Sequence, residues 1–314
     1  MKILHYCPAA VATGGTEGIH HLVSELCKCG ADAQILYACG NLNNPQPKEY
    51  EKYQCSYITQ LPKDFNGVII FPEIWGNKVI ETQYANALSV INWQGIDVYK
   101  WHNKQSEWNK FLRNKQCMHL TMSEYGMNYL RDLHLNPIKV SDCINEIFTE
   151  DYTDSGQRSN AVLYNPTQSK MTRFQETVMA RCTTELGIKF TPVEGYSQAQ
   201  LLDLFRHSKL FIDFGVFSGR ERMPREAVSC GCCIVTSNKG TARDYKDNSI
   251  SDKYKIEDID EAMQMIKHII YNYELCKPDF DEYRRLLKQD LMNYHDEVKE
   301  FYNAILNNYT STQH

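Results

Sequence analysis

No stretch of the sequence is apolar over the length that a membrane span requires. The start, Met1-Lys2 running directly into ILHYC, is too short and too strand-like for a secretory signal. Together these predict a cytoplasmic protein. The signatures G-x-S-x-G and H-E-x-x-H are missing, which removes the common serine-hydrolase and zinc-protease arrangements. The single glycine loop lacks G-x-G-x-x-G, which disfavours a nicotinamide dinucleotide site. Positive charge is not in excess either: 34 Lys and Arg face 39 Asp and Glu, for a net charge of -5. A general nucleic-acid binder needs a broad basic face, so no nucleic-acid partner is expected. There is no low-complexity segment and no short-period repeat.

Cysteine is plentiful, at 12, but nothing organises it. Cys27 and Cys29 form C-x-C at a helix end, and Cys230, Cys232 and Cys233 lie in or beside an apolar run. No pair of C-x-x-C knuckles exists and no histidine stands at zinc spacing, so free thiols acting as small hydrophobes are predicted.

What the chain does have is 314 residues, 42% of them apolar, enough for two domains with separate cores. KILHYC reads as a strand, PAAVATGG as a loop of small residues, and Ile19, Leu22, Val23 and Leu26 mark a helix from Thr16 to near Gly30. AQILYAC is the next strand, and this unit opens a doubly wound parallel sheet. GVIIFPEIW, LSVINWQG and MHLTMS read as further strands, with helices through NKVIETQYANA and MNYLRDLHL. The polar stretch from Thr149 to Asn160 marks a domain boundary. Beyond it, AVLYNP, IKFTPVEG, KLFIDFG and CCIVTS read as strands, and Ser197 with Gln200 forms a capping box before Leu201. The expected domains are 1–152, 153–280 and a helical segment 281–314. The stripe Leu286, Leu287, Leu291, Tyr294, Val298, Phe301 and Ile305 predicts that this last segment packs back on the first domain.

Between Val216 and Arg243 the acidic chain turns basic, with Arg220, Arg222, Arg225, Lys239 and Arg243 against Glu221 and Glu226. The run flanks an apolar segment, Cys230 to Thr236, that reads as a buried strand. A solvated face and an anion pocket both account for such a run.

The order GGTEGIHHLVSEL, EGYSQAQLLDLFRHSKLFIDFG, PREAVSCGCCIVTSNKGTARD resembles a GT-B glycosyltransferase, most of all the retaining group called family four. Glu226-Ala227 and Gly231 match that group's E-A-x-x-x-G helix, and Lys239-Gly240-Thr241 falls where its glycine-containing loop lies. The chain departs from the pattern upstream. The position eight residues before Glu226 is Ser218, where the group carries a first glutamate, and Glu221 is the nearest acid. Either could replace it. The block G-x-E-R-x-P-R-E-A marks a divergent subgroup.

The resemblance implies two Rossmann-like domains facing a central cleft, an N-terminal one for the acceptor and a C-terminal one for a nucleotide-sugar donor. It implies transfer of the sugar to a hydroxyl of a glycan or glycolipid, with retention, without metal and with no other cofactor. The leaving phosphate would serve as the base on the donor's own face. Such enzymes build surface polysaccharides and glycolipids, so peripheral membrane association is compatible with the reading. A sugar-nucleotide epimerase or hydrolase and a non-catalytic GT-B binding module remain as alternatives.

The chemistry requires positive charge aimed at the diphosphate, whose charge grows in the transition state. Lys170 and Arg173 occupy the loop where the group holds its diphosphate; Arg220, Arg222, Arg225 and the amides of Gly240 and Thr241 are further candidates. Glu226, read as beginning a helix, would accept hydrogen bonds from the ribose hydroxyls or merely cap the helix. Gly14, Gly15 and Thr16 would let backbone approach phosphate or sugar. On the acceptor side, Glu73, Gln94 and Asp97 follow strands of the first half. Trp93, Tyr99 and Trp101 suit either sugar stacking or packing, and His20 and His21 are expected on the helix surface. Asp258-Ile-Asp260 and Asp279-Phe-Asp281 have the D-x-D form but fall among helices after the second sheet, away from a strand-end site.

Overall fold

The computed structural model describes residues 1–37, 45–80, 84–97, 117–151 and 157–312. It divides into two compact units, Met1–Asp142 with Met292–His314, and Cys143–Leu291.

The first unit is built on a seven-stranded sheet in the order β3-β2-β1-β4-β5-β6-β7. The strands are β1 (Lys2–Cys7), β2 (Asp32–Tyr37), β3 (Tyr57–Ile58), β4 (Val68–Pro72), β5 (Leu88–Trp93), β6 (Met118–Thr121) and β7 (Pro137–Lys139). Every pairing is parallel. β4 and β5 are buried along their whole length, as expected of strands covered on both faces. Helix α1 (Gly14–Lys28) follows β1, and a reciprocal box between Thr13 and Thr16 caps it two residues ahead of the predicted start. Its predicted apolar face is buried at Ile19, Leu22, Val23 and Leu26. His20 is buried too, contrary to expectation. Its Nε2 lies 2.6 Å from the Tyr37 hydroxyl, its Nδ1 2.7 Å from the Thr16 carbonyl, and its ring packs against Tyr50. His21 stacks on Tyr53 and Tyr294. Of the helix predicted through NKVIETQYANA, Asn77–Ile80 close a 3₁₀ segment, Glu73–Ile80, and residues 81–83 lie outside the described residues. Helix α2 (Glu124–Asp132) is capped by Ser123.

The second unit carries a four-stranded sheet in the order β11-β10-β8-β9, again all parallel. Its strands are β8 (Ser159–Tyr164), β9 (Phe190–Pro192), β10 (Ser208–Asp213) and β11 (Cys233–Thr236). Around them lie α3 (Arg173–Leu186), α4 (Gln198–Arg206), α5 (Arg222–Ser229), α6 (Ile259–Tyr271) and α7 (Tyr273–Cys276). The Ser197–Gln200 capping box at α4 is present. Cys182, Cys230, Cys232, Cys233 and Cys276 are free thiols packed in this unit's apolar core. Helix α5 starts at Arg222, so Glu226 lies within it and does not begin it.

The last helix, α8 (Asp281–Thr312), is continuous. Within the first unit its Val298, Phe301 and Ile305 are fully buried. The Glu297 carboxylate accepts hydrogen bonds from the Ser141 amide (2.7 Å) and hydroxyl (3.3 Å) there.

Candidate functional site

A parallel sheet offers its ligand site at the carboxyl ends of the strands, where neighbouring strands send their chains in opposite directions. In the second unit that switch lies between β8 and β10, because β9 flanks β8 on its other edge. The loop after β8 carries Lys170, and the loop after β10 runs from Phe214 to Glu221.

Lys170 is buried, and its ammonium is the centre of the cluster. It donates to the Val216 carbonyl at 2.8 Å, pairs with Glu221 Oε1 at 2.9 Å and lies 4.0 Å from Asp213 Oδ2. The Phe217 ring lies 4.8 Å from it. Asp213, the last residue of β10, accepts the Gly215 amide on Oδ1 at 2.9 Å, while Oδ2 has no hydrogen-bond partner among the described residues. Burial pushes this carboxyl up to about 6; Lys170 opposes the rise and Glu221 adds to it. Asp213 was missed in the sequence, although an acid closing an apolar strand before a glycine, FIDFG, is the signal that could have found it.

Gly215 admits no side chain. A Cβ there would stand 2.6 Å from Lys170 Cδ, 3.0 Å from Asp213 Oδ1 and 3.1 Å from Lys170 Cα. Gly215→Ala is therefore expected to cost about 1–3 kcal/mol of stability through overpacking. A urea midpoint equal to the parent's would contradict this.

The basic run sorts into different roles. Arg225 is buried and donates from Nη2 to the Arg220 carbonyl (2.5 Å) and from Nε to the Glu221 carbonyl (3.1 Å). Arg220 is buried and paired with Asp290 at 2.5 Å. The Thr241 hydroxyl donates to the Gly219 carbonyl and its amide to the Phe217 carbonyl, so this amide is already engaged. Gly240 holds φ at 62°, a left-handed conformation suited to glycine. These contacts fix the Phe217–Glu221 backbone from several sides. Arg222 is the first residue of α5, half-buried, and Glu226 is buried one turn further on. Arg173 is exposed at the start of α3. On that helix the buried Gln175 accepts the Phe214 amide at 2.8 Å and ties α3 to the loop after β10.

In the first unit the switch lies between β1 and β4. Gly14 and Gly15 open α1 there, while Thr16 is committed to the cap and to the Tyr50 hydroxyl at 2.8 Å. Glu73 is buried and accepts the amides of Gln94 (3.0 Å) and Gly95 (3.1 Å), one on each oxygen. Burial pushes its carboxyl up to about 7, and these amides moderate the rise. Gln94 in turn donates its side-chain amide to the Gly15 carbonyl at 3.0 Å. Glu73, Gln94 and Gly15 are thus brought together. Asp97 accepts the Tyr125 hydroxyl at 3.2 Å. Trp93 is in the core, with its indole N–H on His119 Nδ1. Tyr99 and Trp101 lie outside the described residues.

The D-x-D pairs have local partners. Asp258 caps α6, Asp279 pairs with Lys253 at 2.8 Å, and Asp281 pairs with Arg284.

No family profile and no curated protein matches the sequence. Among solved structures the chain is similar to a glycosyltransferase from Rickettsia africae ESF-5, at 15% identity over 98% of this chain and 99% of that one, with a TM-score of 0.71. It is similar to a sucrose-phosphate synthase from Thermosynechococcus elongatus, at 13% identity over 99% of both chains, with a TM-score of 0.71. An alpha-glucosyltransferase solved in complex with UDP matches at 11% identity over 97% of this chain and 99% of that one, with a TM-score of 0.59. Two parallel α/β units and this full-length likeness give the chain the GT-B fold.

Proposed function

We propose that the protein is a glycosyltransferase that moves a sugar from a nucleotide-diphosphate donor to a hydroxyl of a glycan or glycolipid, with retention and without a metal. The observation that carries this reading is Lys170, a buried lysine at the switch point of the second sheet, beside a helix that starts at Arg222 with no acid in its first turn. Arg222 opposes the helix dipole there, and the one acid at that end, the N-cap Glu221, makes no side-chain cap and is paired with Lys170, so an anion placed among these cations explains them better than helix stability does. The second unit is the donor side in this reading, with the diphosphate on Lys170, Arg173, Arg222 and the Gly240 loop and the ribose on Glu226. The first unit is the acceptor side, lined by Gly15, Glu73, Gln94 and Asp97. The terminal helix joins the two domains by crossing back, and the protein works in the cytoplasm, peripheral to a membrane when its acceptor is a lipid.

Turnover of a nucleotide-sugar panel, with and without hydroxyl acceptors and with a chelator present, tests the whole reading. Acceptor-dependent release of nucleoside diphosphate is expected, and the chelator should not abolish it. Release without acceptor would indicate a hydrolase, conversion of the sugar an epimerase, and binding without turnover a non-catalytic module; Ser218, in place of the usual first glutamate, is what favours that last alternative.

The two halves of the donor site should respond differently to substitution. Glu226→Ala leaves ribose hydroxyls without their acceptor, for an expected loss of about ten- to a hundredfold in nucleotide affinity. Arg222→Ala should depress turnover more than affinity, because phosphate charge grows during the reaction. Separate measurement of affinity and turnover decides; parental values in both variants would make the basic run a solvated face.

A further inference from the structure

The surroundings of Lys170 are asymmetric. On its inner side lies Asp213, 1% exposed, fixed at a strand end and by the Gly215 amide. On its outer side lies Glu221, whose side chain is 24% exposed. Glu221 occupies the N-cap position of α5 yet makes no side-chain cap, and its other hydrogen bond among the described residues is a 3.3 Å one from the Ser218 amide. Its departure would therefore cost the helix no cap. The Arg225 and Thr241 bonds hold the backbone around Glu221, so its side chain can leave while the loop stays in place.

Two carboxylates share one ammonium here, and the inner one cannot leave. A phosphoryl group brings more charge and more acceptor oxygens than a carboxylate, and it can approach only from the exposed side. We propose that Glu221 holds the phosphate position on Lys170 in the unliganded protein and yields it to a phosphoryl group of the donor's diphosphate, while Asp213 stays beneath the ammonium. The inference rests on the glycosyltransferase reading of this site and adds to it an exchangeable partner and a fixed one. Glu221 then tunes affinity: it keeps Lys170 oriented before the donor arrives and opposes anions too weak to displace it.

The test is calorimetric titration of the full chain with inorganic pyrophosphate and with UDP, GDP, ADP and dTDP, using the parent, Glu221→Gln, Lys170→Met and the double variant. Removing the competing charge should tighten pyrophosphate binding by about two- to fivefold, the range expected of a partly exposed ion pair. The same change in the Lys170→Met background should have no effect. Pyrophosphate binding that is unchanged or weaker in a Glu221→Gln protein of parental thermal midpoint would overturn the exchange. If that protein still turns over nucleotide sugars, only the exchange fails. If the parent binds neither pyrophosphate nor any of the nucleotides, the reading of the site fails and the exchange with it.

Discussion

Lys170→Met is expected to lower turnover by about two to three orders of magnitude, the usual cost of removing one preorganised donor to a developing oxyanion. Nucleotide affinity should fall far less, about tenfold, because the ground-state diphosphate keeps the backbone donors and the remaining cations. The substitution also leaves Asp213 and Glu221 without their shared cation. Asp213 is buried and already raised, so it can respond by holding its proton, and the fold should survive. Lys170→Arg is the informative control. It keeps the charge, but the planar guanidinium cannot occupy the same position between Val216, Glu221 and Asp213. A Lys170→Met protein with parental turnover would remove Lys170 from the chemistry.

Acid should loosen the first unit before it protonates most surface carboxylates. Burial lowers His5 to about 3 and His119 to about 4, so the folded chain excludes protons that the unfolded chain binds below about 6.5. A lowered histidine contributes stability that is present above the unfolded value and lost as pH falls toward the folded one. From pH 7 to 5 each loses about 2 kcal/mol by this linkage. Glu73 acts in the opposite sense, because a carboxyl raised to about 7 binds its proton more readily when folded; it returns about 2 kcal/mol over the same interval. Together these three groups give an expected loss of about 2 kcal/mol between pH 7 and 5, continuing at lower pH as the Glu73 contribution saturates, and His20, which burial also lowers, adds to the loss. All 4 tryptophans fall in the segment Met1–Asp142, so tryptophan fluorescence during urea unfolding reports this unit. Glu73→Gln should steepen the loss below pH 7 and remove the destabilisation above it. A urea midpoint constant from pH 7 to 5 in the parent would contradict this linkage.

Much of the fold could be read because its strands are covered on both faces. KILHYC, GVIIFPEIW and KLFIDFG are apolar runs bounded by turn residues, and each contains a strand, although the second ends at Pro72, three residues short of its expected limit, and the third at Asp213, two residues short. The two-residue β3 offered no such run. Side-chain roles were harder. His20 has helical spacing on the apolar side of α1, but its burial depends on Tyr37 and Tyr50, which arrive from β2 and the segment after it. Arg220 and Arg225 looked like members of one anion pocket with Arg222; the structure gives Arg220 to Asp290 and Arg225 to backbone carbonyls. Charge content was visible in the sequence, whereas the sorting of charges into supports and ligand contacts depends on partners up to 70 residues away.

The most direct test is a structure of the protein with a nucleoside diphosphate bound. Phosphate oxygens are expected within hydrogen-bond reach of Lys170 Nζ at the ends of β8 and β10, with the ribose hydroxyls on Glu226. A nucleotide bound at the first unit's strand ends, or a diphosphate in the second unit that leaves Lys170 untouched, would contradict that placement.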